Sequence, residues 1–478
     1  MALHDLLLAL PITFATLWTI LLIVVEATAK RAQLTFSLTS IGFLVLITMM
    51  LFANEQGYAF GEMLRLSPYS QFANFVFALS GLLVITLSQS YLAKENIHFG
   101  EYYLIVFIAT LGMMLMASAA HMVVLFIGLE IMSIALYVLA GIMRKDLRAN
   151  EAAMKYFLLG AFSSGFFLYG ISLIYGATGE MTLFKIGIYL QENGATSLFW
   201  IGLSLMMVGF LFKISAVPFH QWTPDVYEGA PTPSTALMST ASKAAAFTAL
   251  ITVVLNVSSQ TENNSNWTFA LSTIAVLTMV VGNIAALSQD NLKRMLAFSS
   301  IAHAGYMLVG IVAGSDAGYS AVLYYALVYS LMNIGAFGVI ALLERHRELT
   351  SASDYAGLFK EKPLLAGVMA LFMLSLTGIP PFGGFIGKYK LFAAAVETGF
   401  SWLAVVGVLA SAVSAYYYLR VVIFMFMREP QEENQFDGVA LNPTLVLIAL
   451  LVFLLGIFPT GMLRFAGEAM KFALNSFH

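Results

Sequence analysis

Apolar residues in this chain neither alternate nor follow a single helical stripe. They run almost unbroken for twenty or so positions, give way to a short polar stretch and begin again. A helix built from such a run is apolar on every face, which suits lipid or other apolar helices as surroundings. About 20 mostly apolar residues cross a bilayer. Fourteen spans are expected on this basis, at 6–27, 33–53, 73–93, 101–119, 121–142, 153–176, 197–219, 233–257, 267–288, 295–314, 317–343, 363–399 (broken), 402–427 and 443–463. The fold class is therefore an all-α polytopic membrane protein. The longest stretches between spans, 54–72, 177–196, 344–362 and 428–442, are too short for a nucleotide-binding or iron–sulfur domain. No GxxxxGK[ST] phosphate loop and no GxGxxG on a strand–helix unit occurs. The energy source must be another chain or an ion gradient.

Composition agrees: 60% of residues are hydrophobic and 10% charged, with mean hydropathy +0.85, against roughly 25% charged in soluble domains. The 478 residues include no cysteine, which excludes disulfides, thiolate metal sites and a cysteine nucleophile within the chain. The first apolar run has no basic leader and meets Lys30-Arg31 without a small-residue cleavage pattern, so it is expected to remain as a span. Thirteen Lys and Arg fall in loops after odd-numbered spans and four on the other side. The excess of basic residues marks the cytoplasmic face. Both termini are then expected on the opposite, periplasmic side.

The candidate chemistry lies inside the apolar runs. Lys213 stands in LMMVGFLFKISAVPF, Lys243 in TALMSTASKAAAFTAL, Lys388 in GIPPFGGFIGKYKLF and Glu130 in HMVVLFIGLEIMSIALYVLAGI; Lys155 begins MKYFLLGAFSSGFFLYG. A charge at the bilayer centre costs at least ~2.5–3.5 kcal/mol, so such residues face a bundle interior or wet cavity and usually serve ion or proton movement. Two spans also carry helix-breaking sequences. Pro218 follows Lys213 by five residues, and Gly378-Ile-Pro380-Pro381 precedes Lys388. Proline removes a backbone donor, and at membrane depth the freed carbonyls find partners only in protein or water. Interrupted spans at corresponding positions in two halves point to an inverted-repeat transporter. Spans seven and twelve are five apart, so units of five spans would have opposite topology. The expected organisation is 1–100 (spans 1–3), 101–257 (first repeat), 267–427 (second, inverted repeat) and 428–478 (span 14 and tail).

Three blocks carry a resemblance. PFHQWTPDVYEGAPTP at 218–233, SQDNLKRMLAFSSIAHAGYMLVG at 288–310 and LSLTGIPPFGGFIGKYKLF at 374–392 resemble the antiporter-like, proton-pumping subunits of respiratory complex I, a family related to the Mrp antiporters. The resemblance covers about 100–427. Thr-Pro-Asp225-Val-Tyr227, Lys388 where the M branch has glutamate, and the lack of a long lateral helix after span fourteen are similar to the subunit N branch. By that resemblance Glu130, Lys213, Lys243 and Lys388 match the proton relay, Lys155 a further lysine of span six, and His220 and His303 polar positions of the family blocks. The resemblance also implies that NADH, FMN, Fe–S clusters and quinone belong to partner subunits, with no cofactor in this chain. It implies contacts with subunits M, K and J and a place in the bacterial inner membrane.

A buried amine keeps or releases its proton according to its neighbours, and a carboxylate beside it favours the charged form. A Lys213–Glu130 pair would thus act as a switch, with Lys243 passing protons between half-channels and Lys388 connecting to the far face. Lys155 fits either a relay or a snorkelling role, His220 a relay or a backbone cap, and Asp225 and Glu228 proton entry or a solvated turn. Lys390 is expected to be structural or to snorkel, and Arg420 to be an ion-pair partner or interface anchor. The rival functions are an Mrp-type cation/proton antiporter subunit, the equivalent subunit of a ferredoxin-, deazaflavin- or hydrogen-linked relative, and a scaffold without transport.

Overall fold

A computed structural model describes residues 2–52, 56–95, 100–257, 264–344, 349–430, 436 and 438–475. Arg345 and Arg347, two of the expected cytoplasmic cations, lie outside them. The chain is helical almost throughout. Among the described residues twelve helices are long and apolar enough to cross a membrane, or thirteen if the bent pair Pro443–Ile457 and Thr460–Lys471 is one span. The expected fourteen is reached only if Pro363–Thr377 and Gly383–Glu397, 15 residues each, form one broken span.

The helices are not equivalent. Thr232–Asn256, Leu292–Val312 and Asp316–Leu343 are enclosed by the bundle, whereas Leu10–Ala29, Leu147–Thr178 and Ser401–Met427 turn most of their surface outward. Outward residues such as Leu17, Phe162 and Trp402 are apolar, as a lipid-facing surface requires. Small residues set the closest crossings. A Cβ at Gly170 would lie 2.6 Å from the Gly202 carbonyl oxygen, so Leu147–Thr178 and Ser197–Ile214 cross backbone to backbone.

Some expectations about the edges need correction. The loop 54–72 contains an antiparallel hairpin, Gly57–Ala59 with Leu64–Leu66, and 177–196 contains the helix Leu183–Asn193. The last apolar helix ends at Ile457 rather than at 463, because Pro459 cannot continue it; the chain turns by 78° into Thr460–Asn475, where Phe465 packs on Phe72. Lys293 and Arg294 are not loop cations. Asn291 caps the helix Leu292–Val312, accepting from the N–H groups of both residues, and Lys293 is buried.

Both predicted breaks are present. Ser197–Ile214 ends at Ser215, in the left-handed region at φ 62°, and Pro363–Thr377 ends at Gly378, at φ 89°. The polar groups released by each break have partners. Trp222 Nε1 donates to the Phe212 carbonyl at 3.1 Å and Val217 N–H to Thr278 Oγ1 at 3.0 Å. A third interruption has no proline to announce it: at Thr240 (φ −121°, ψ −85°) the eighth span divides into Thr232–Ser239 and Ala241–Val257.

The second break is packed to contact. Gly384 N–H donates to Ser375 Oγ at 3.2 Å, and a Cβ at Gly384 would lie 1.9 Å from the Ser375 carbonyl oxygen. Gly384→Ala must push the two half-helices apart and is expected to destabilise the protein by about 1–3 kcal/mol, the usual cost of overpacking. The readout is the thermal midpoint of the detergent-solubilised protein. An unchanged midpoint would show that the Ser375 turn can withdraw freely.

Candidate functional site

The breaks bring the buried lysines into one polar and aromatic seam. Lys213, in the last turn of Ser197–Ile214, is 4% exposed. Its ammonium lies 3.5 Å from Tyr137 Oη and 5.1 Å and 5.2 Å from the ring centroids of Tyr137 and Tyr156. The ring faces supply negative potential where no carboxylate is adjacent. The expected Lys213–Glu130 ion pair is absent among the described residues: the Glu130 carboxylate accepts from Ser164 Oγ instead. Glu130 and Tyr137 are seven residues apart on Met122–Ala140, hence two turns apart on one face. Tyr137, rather than Glu130, is the group in contact with Lys213.

Rings continue the seam inward. Tyr156 stacks on Trp222 at 4.4 Å, Trp222 meets Tyr227 edge-on at 5.9 Å, and Lys243 Nζ is 6.0 Å from the Tyr227 ring. Lys243 is fully buried just past the Thr240 break. It donates to the Ser300 carbonyl at 3.0 Å and to Ser300 Oγ at 2.5 Å.

His303, one turn beyond Ser300, is also fully buried. Its Nδ1 shares a hydrogen bond with Tyr325 Oη at 2.6 Å and its Nε2 one with Tyr418 Oη at 3.0 Å, while Tyr418 also bonds Ser299 Oγ. Its ring packs on Tyr306 and Tyr329. Tyr306 leads to the next lysine, whose Nζ is 4.8 Å from the ring centroid. That lysine is Lys388, 4% exposed. Its three donors are all used: Leu376 O at 2.9 Å, Thr377 O at 3.0 Å and Ser411 Oγ at 2.8 Å. The two carbonyls are those released by the Gly378–Pro381 break. They form the C-terminal, electronegative end of a half-helix, which favours a cation.

Lys155 and His220 lie apart from this seam. Lys155 is partly exposed and pairs with Glu151 and Asp225, each at 2.8 Å; Arg294 joins Asp225 at 2.8 Å and Glu228 at 3.0 Å. These residues clamp the short helix Trp222–Gly229 beside a cavity of about 170 Å³ lined by Arg148, Glu151, Lys155, Asp225 and Glu228. Partial burial works to raise the Asp225 carboxyl, but the Lys155 ammonium and Arg294 guanidinium outweigh it and hold the group below its ordinary value. A carboxyl depressed on folding stabilises above its unfolded value, and that stability is lost as pH falls through the folded one. The clamp therefore holds at neutral pH and loosens only in acid. His220 is half-buried at the first break, and its Nδ1 has no hydrogen-bond partner among the described residues. Lys390 is exposed. Arg420 pairs with Asp290 at 3.5 Å.

Sequence reasoning missed the tyrosines. Tyr137, Tyr306, Tyr325, Tyr329 and Tyr418 were hidden among 21 in the chain. Tyr306, Tyr325, Tyr329 and Tyr418 are signalled by depth, well inside their helices and away from the interfacial belt that tyrosine prefers, whereas Tyr137, in the last turn of Met122–Ala140, gives no such signal. Among the described residues no group of three His, Asp or Glu side chains converges to hold a metal ion.

The family model described as "NADH:quinone oxidoreductase/Mrp antiporter, TM" matches residues 119–414. A protein of Chloroherpeton thalassium named NADH-quinone oxidoreductase subunit N 1 is 52% identical over 474 residues, covering 99% of this chain and 100% of that one. A chain in the structure of respiratory complex I from Thermus thermophilus with bound aureothin is 35% identical at a TM-score of 0.82, covering 95% of this chain and 98% of that one. A chain of the Mrp complex from Dietzia sp. has a TM-score of 0.87 over 100% of this chain and 98% of its own, at 20% identity, and shares the fold alone.

Proposed function

Because the chain belongs to the NADH-quinone oxidoreductase subunit N family, within the NADH:quinone oxidoreductase/Mrp antiporter group of transmembrane proteins, we propose that it is a proton-translocating membrane subunit of such an oxidoreductase. The observation that carries this reading is the buried seam itself. Three lysines on three interrupted spans are joined by hydroxyl, imidazole and ring contacts. Lysine suits the task because its ammonium can release a proton, which arginine does not do in proteins. Lys213 takes up the proton and Glu130 biases it across the Tyr137 turn. Lys243 and His303 carry it across the centre, and Lys388 delivers it to the far side. Lys155 acts at the cytoplasmic mouth, where its pairing with Asp225 governs access to the first break. His220 is a secondary acceptor there.

The rest of the reading follows from this role. The span count is fourteen, with 101–257 and 267–427 as inverted repeats between 1–100 and 428–478. Both termini face the periplasm of a bacterial inner membrane. Membrane subunits M, K and J are the neighbours. NADH, FMN, Fe–S clusters and quinone are handled by partner chains, and quinone reduction there drives the relay. The Mrp alternative rests on shared fold at 20% identity, whereas relatives named for the oxidoreductase reach 52%.

Affinity purification of the tagged chain from mild detergent tests this function. Flavin- and Fe–S-containing subunits with NADH:quinone activity are expected to co-purify. Recovery with only a small set of antiporter subunits and no NADH oxidation would overturn it.

A further inference from the structure

Two charged side chains at the cytoplasmic base of the bundle are as deeply buried as the relay lysines and have no part in the seam. Lys293 is 1% exposed and Glu344 0%, with Lys293 Nζ 3.6 Å from Glu344 Oε1. Desolvating such a pair costs about as much as its attraction returns, so stability alone is a poor reason to keep it. Their other bonds suggest a different use. Lys293 Nζ donates to the Ala230 carbonyl at 2.9 Å, and Thr232 Oγ1 donates to Glu344 Oε2. Residues 230–232 form the joint between Trp222–Gly229 and Thr232–Ser239. The pair thus ties three elements at one point: the start of Leu292–Val312, the end of Asp316–Leu343 and this joint.

The same elements meet again at the level of the relay. Lys243 bonds Ser300, and Ser300 stands seven residues, two turns, above Lys293 on one face of Leu292–Val312. Asn333, on Asp316–Leu343, donates to Ser239 Oγ at 2.8 Å just below the Thr240 break. Leu292–Val312 is unbroken between Lys293 and Ser300, so a tie at its base sets the position of Ser300.

We infer that Lys293 and Glu344 are a positioning pair that fixes the register of Leu292–Val312 against the 230–232 joint and Asp316–Leu343, and so keeps Ser300 seated at Lys243. This rests on the relay reading above. Without the pair Leu292–Val312 can slide, Ser300 loses its fit to Lys243, and electron transfer continues with fewer protons moved.

The test uses the whole oxidoreductase reconstituted in vesicles, comparing proton uptake per NADH oxidised with NADH oxidation by an artificial acceptor. Lys293→Met, Glu344→Gln and the double variant are each expected to lose proton uptake per NADH while keeping acceptor activity, and Lys293→Arg to retain both. The double variant leaves neither charge buried alone. If it pumps at the wild-type ratio, the pair is only structural and the inference falls. Should the double variant fail to assemble, Glu344→Asp decides: it keeps the charge and shortens the reach, so a wild-type ratio there overturns the inference. Lys213→Ala is run alongside. If that variant pumps normally, the relay reading itself has failed; if it is impaired while the pair variants pump normally, only the positioning role is lost.

Discussion

Lys213→Ala is expected to abolish proton translocation through this subunit while NADH oxidation by an artificial acceptor survives. The side chain is 4% exposed, and its ammonium is held by Tyr137 Oη and the rings of Tyr137 and Tyr156. A cavity left in its place offers no group that both takes and gives a proton. A positioned acid–base group is typically worth 10²–10⁴-fold in transfer rate, so flux along the seam should fall by about 10²-fold or more. Glu130 allows a finer comparison. Its carboxylate is bound to Ser164 rather than to Lys213, and it acts on the lysine through the field. Glu130→Gln keeps the hydrogen bond and removes the charge, so pumping should drop; Glu130→Asp should retain part of it. Full quinone-linked pumping in an assembled Lys213→Ala complex would remove Lys213 from the relay. Equal behaviour of the Gln and Asp variants would assign Glu130 to packing.

Lys388→Arg should impair turnover far more than assembly. The pocket matches an ammonium: three donors meet Leu376 O, Thr377 O and Ser411 Oγ. Gly378 leaves little spare room, since a Cβ there would already lie 3.1 Å from Lys388 Cδ. A planar guanidinium with five donors cannot repeat this geometry, and it does not give up its proton. The variant keeps the cation that the half-helix end favours, so the break should still form. Subunit content by native gel and proton uptake by vesicle fluorescence separate the two effects. An arginine variant that pumps freely would exclude Lys388 as a proton carrier.

Much of the fold was legible before any coordinates. The cost of exposing backbone polar groups to lipid forces each apolar run of about 20 residues into a helix, and this depends on nothing but the local sequence. The same cost made Lys213, Lys243, Lys388 and Glu130 conspicuous, and proline chemistry located the breaks beside Lys213 and Lys388. The interruption at Thr240 was invisible, because Ala-Leu-Met-Ser-Thr-Ala-Ser contains no breaker.

What stands beside each lysine belongs to tertiary structure. Lys213 faces Tyr137, 76 residues away in sequence, and not Glu130. Lys243 meets Ser300 at a separation of 57 residues, and His303 meets Tyr418 at 115. Lys293 stands near the end of the polar stretch 288–294, which reads as a loop, yet it is buried against Glu344, which also reads as loop. Hydropathy measures the cost of placing a residue in lipid and carries no information about which of several enclosed helices will face it. That choice was made by helix packing, through small residues such as Gly170 and Gly202 that let backbones touch, and through breaks that turn carbonyls toward an ammonium. The sequence alone determined which groups must be sheltered from lipid; the tertiary structure decided which groups shelter them, because those partners come from helices far apart in the chain.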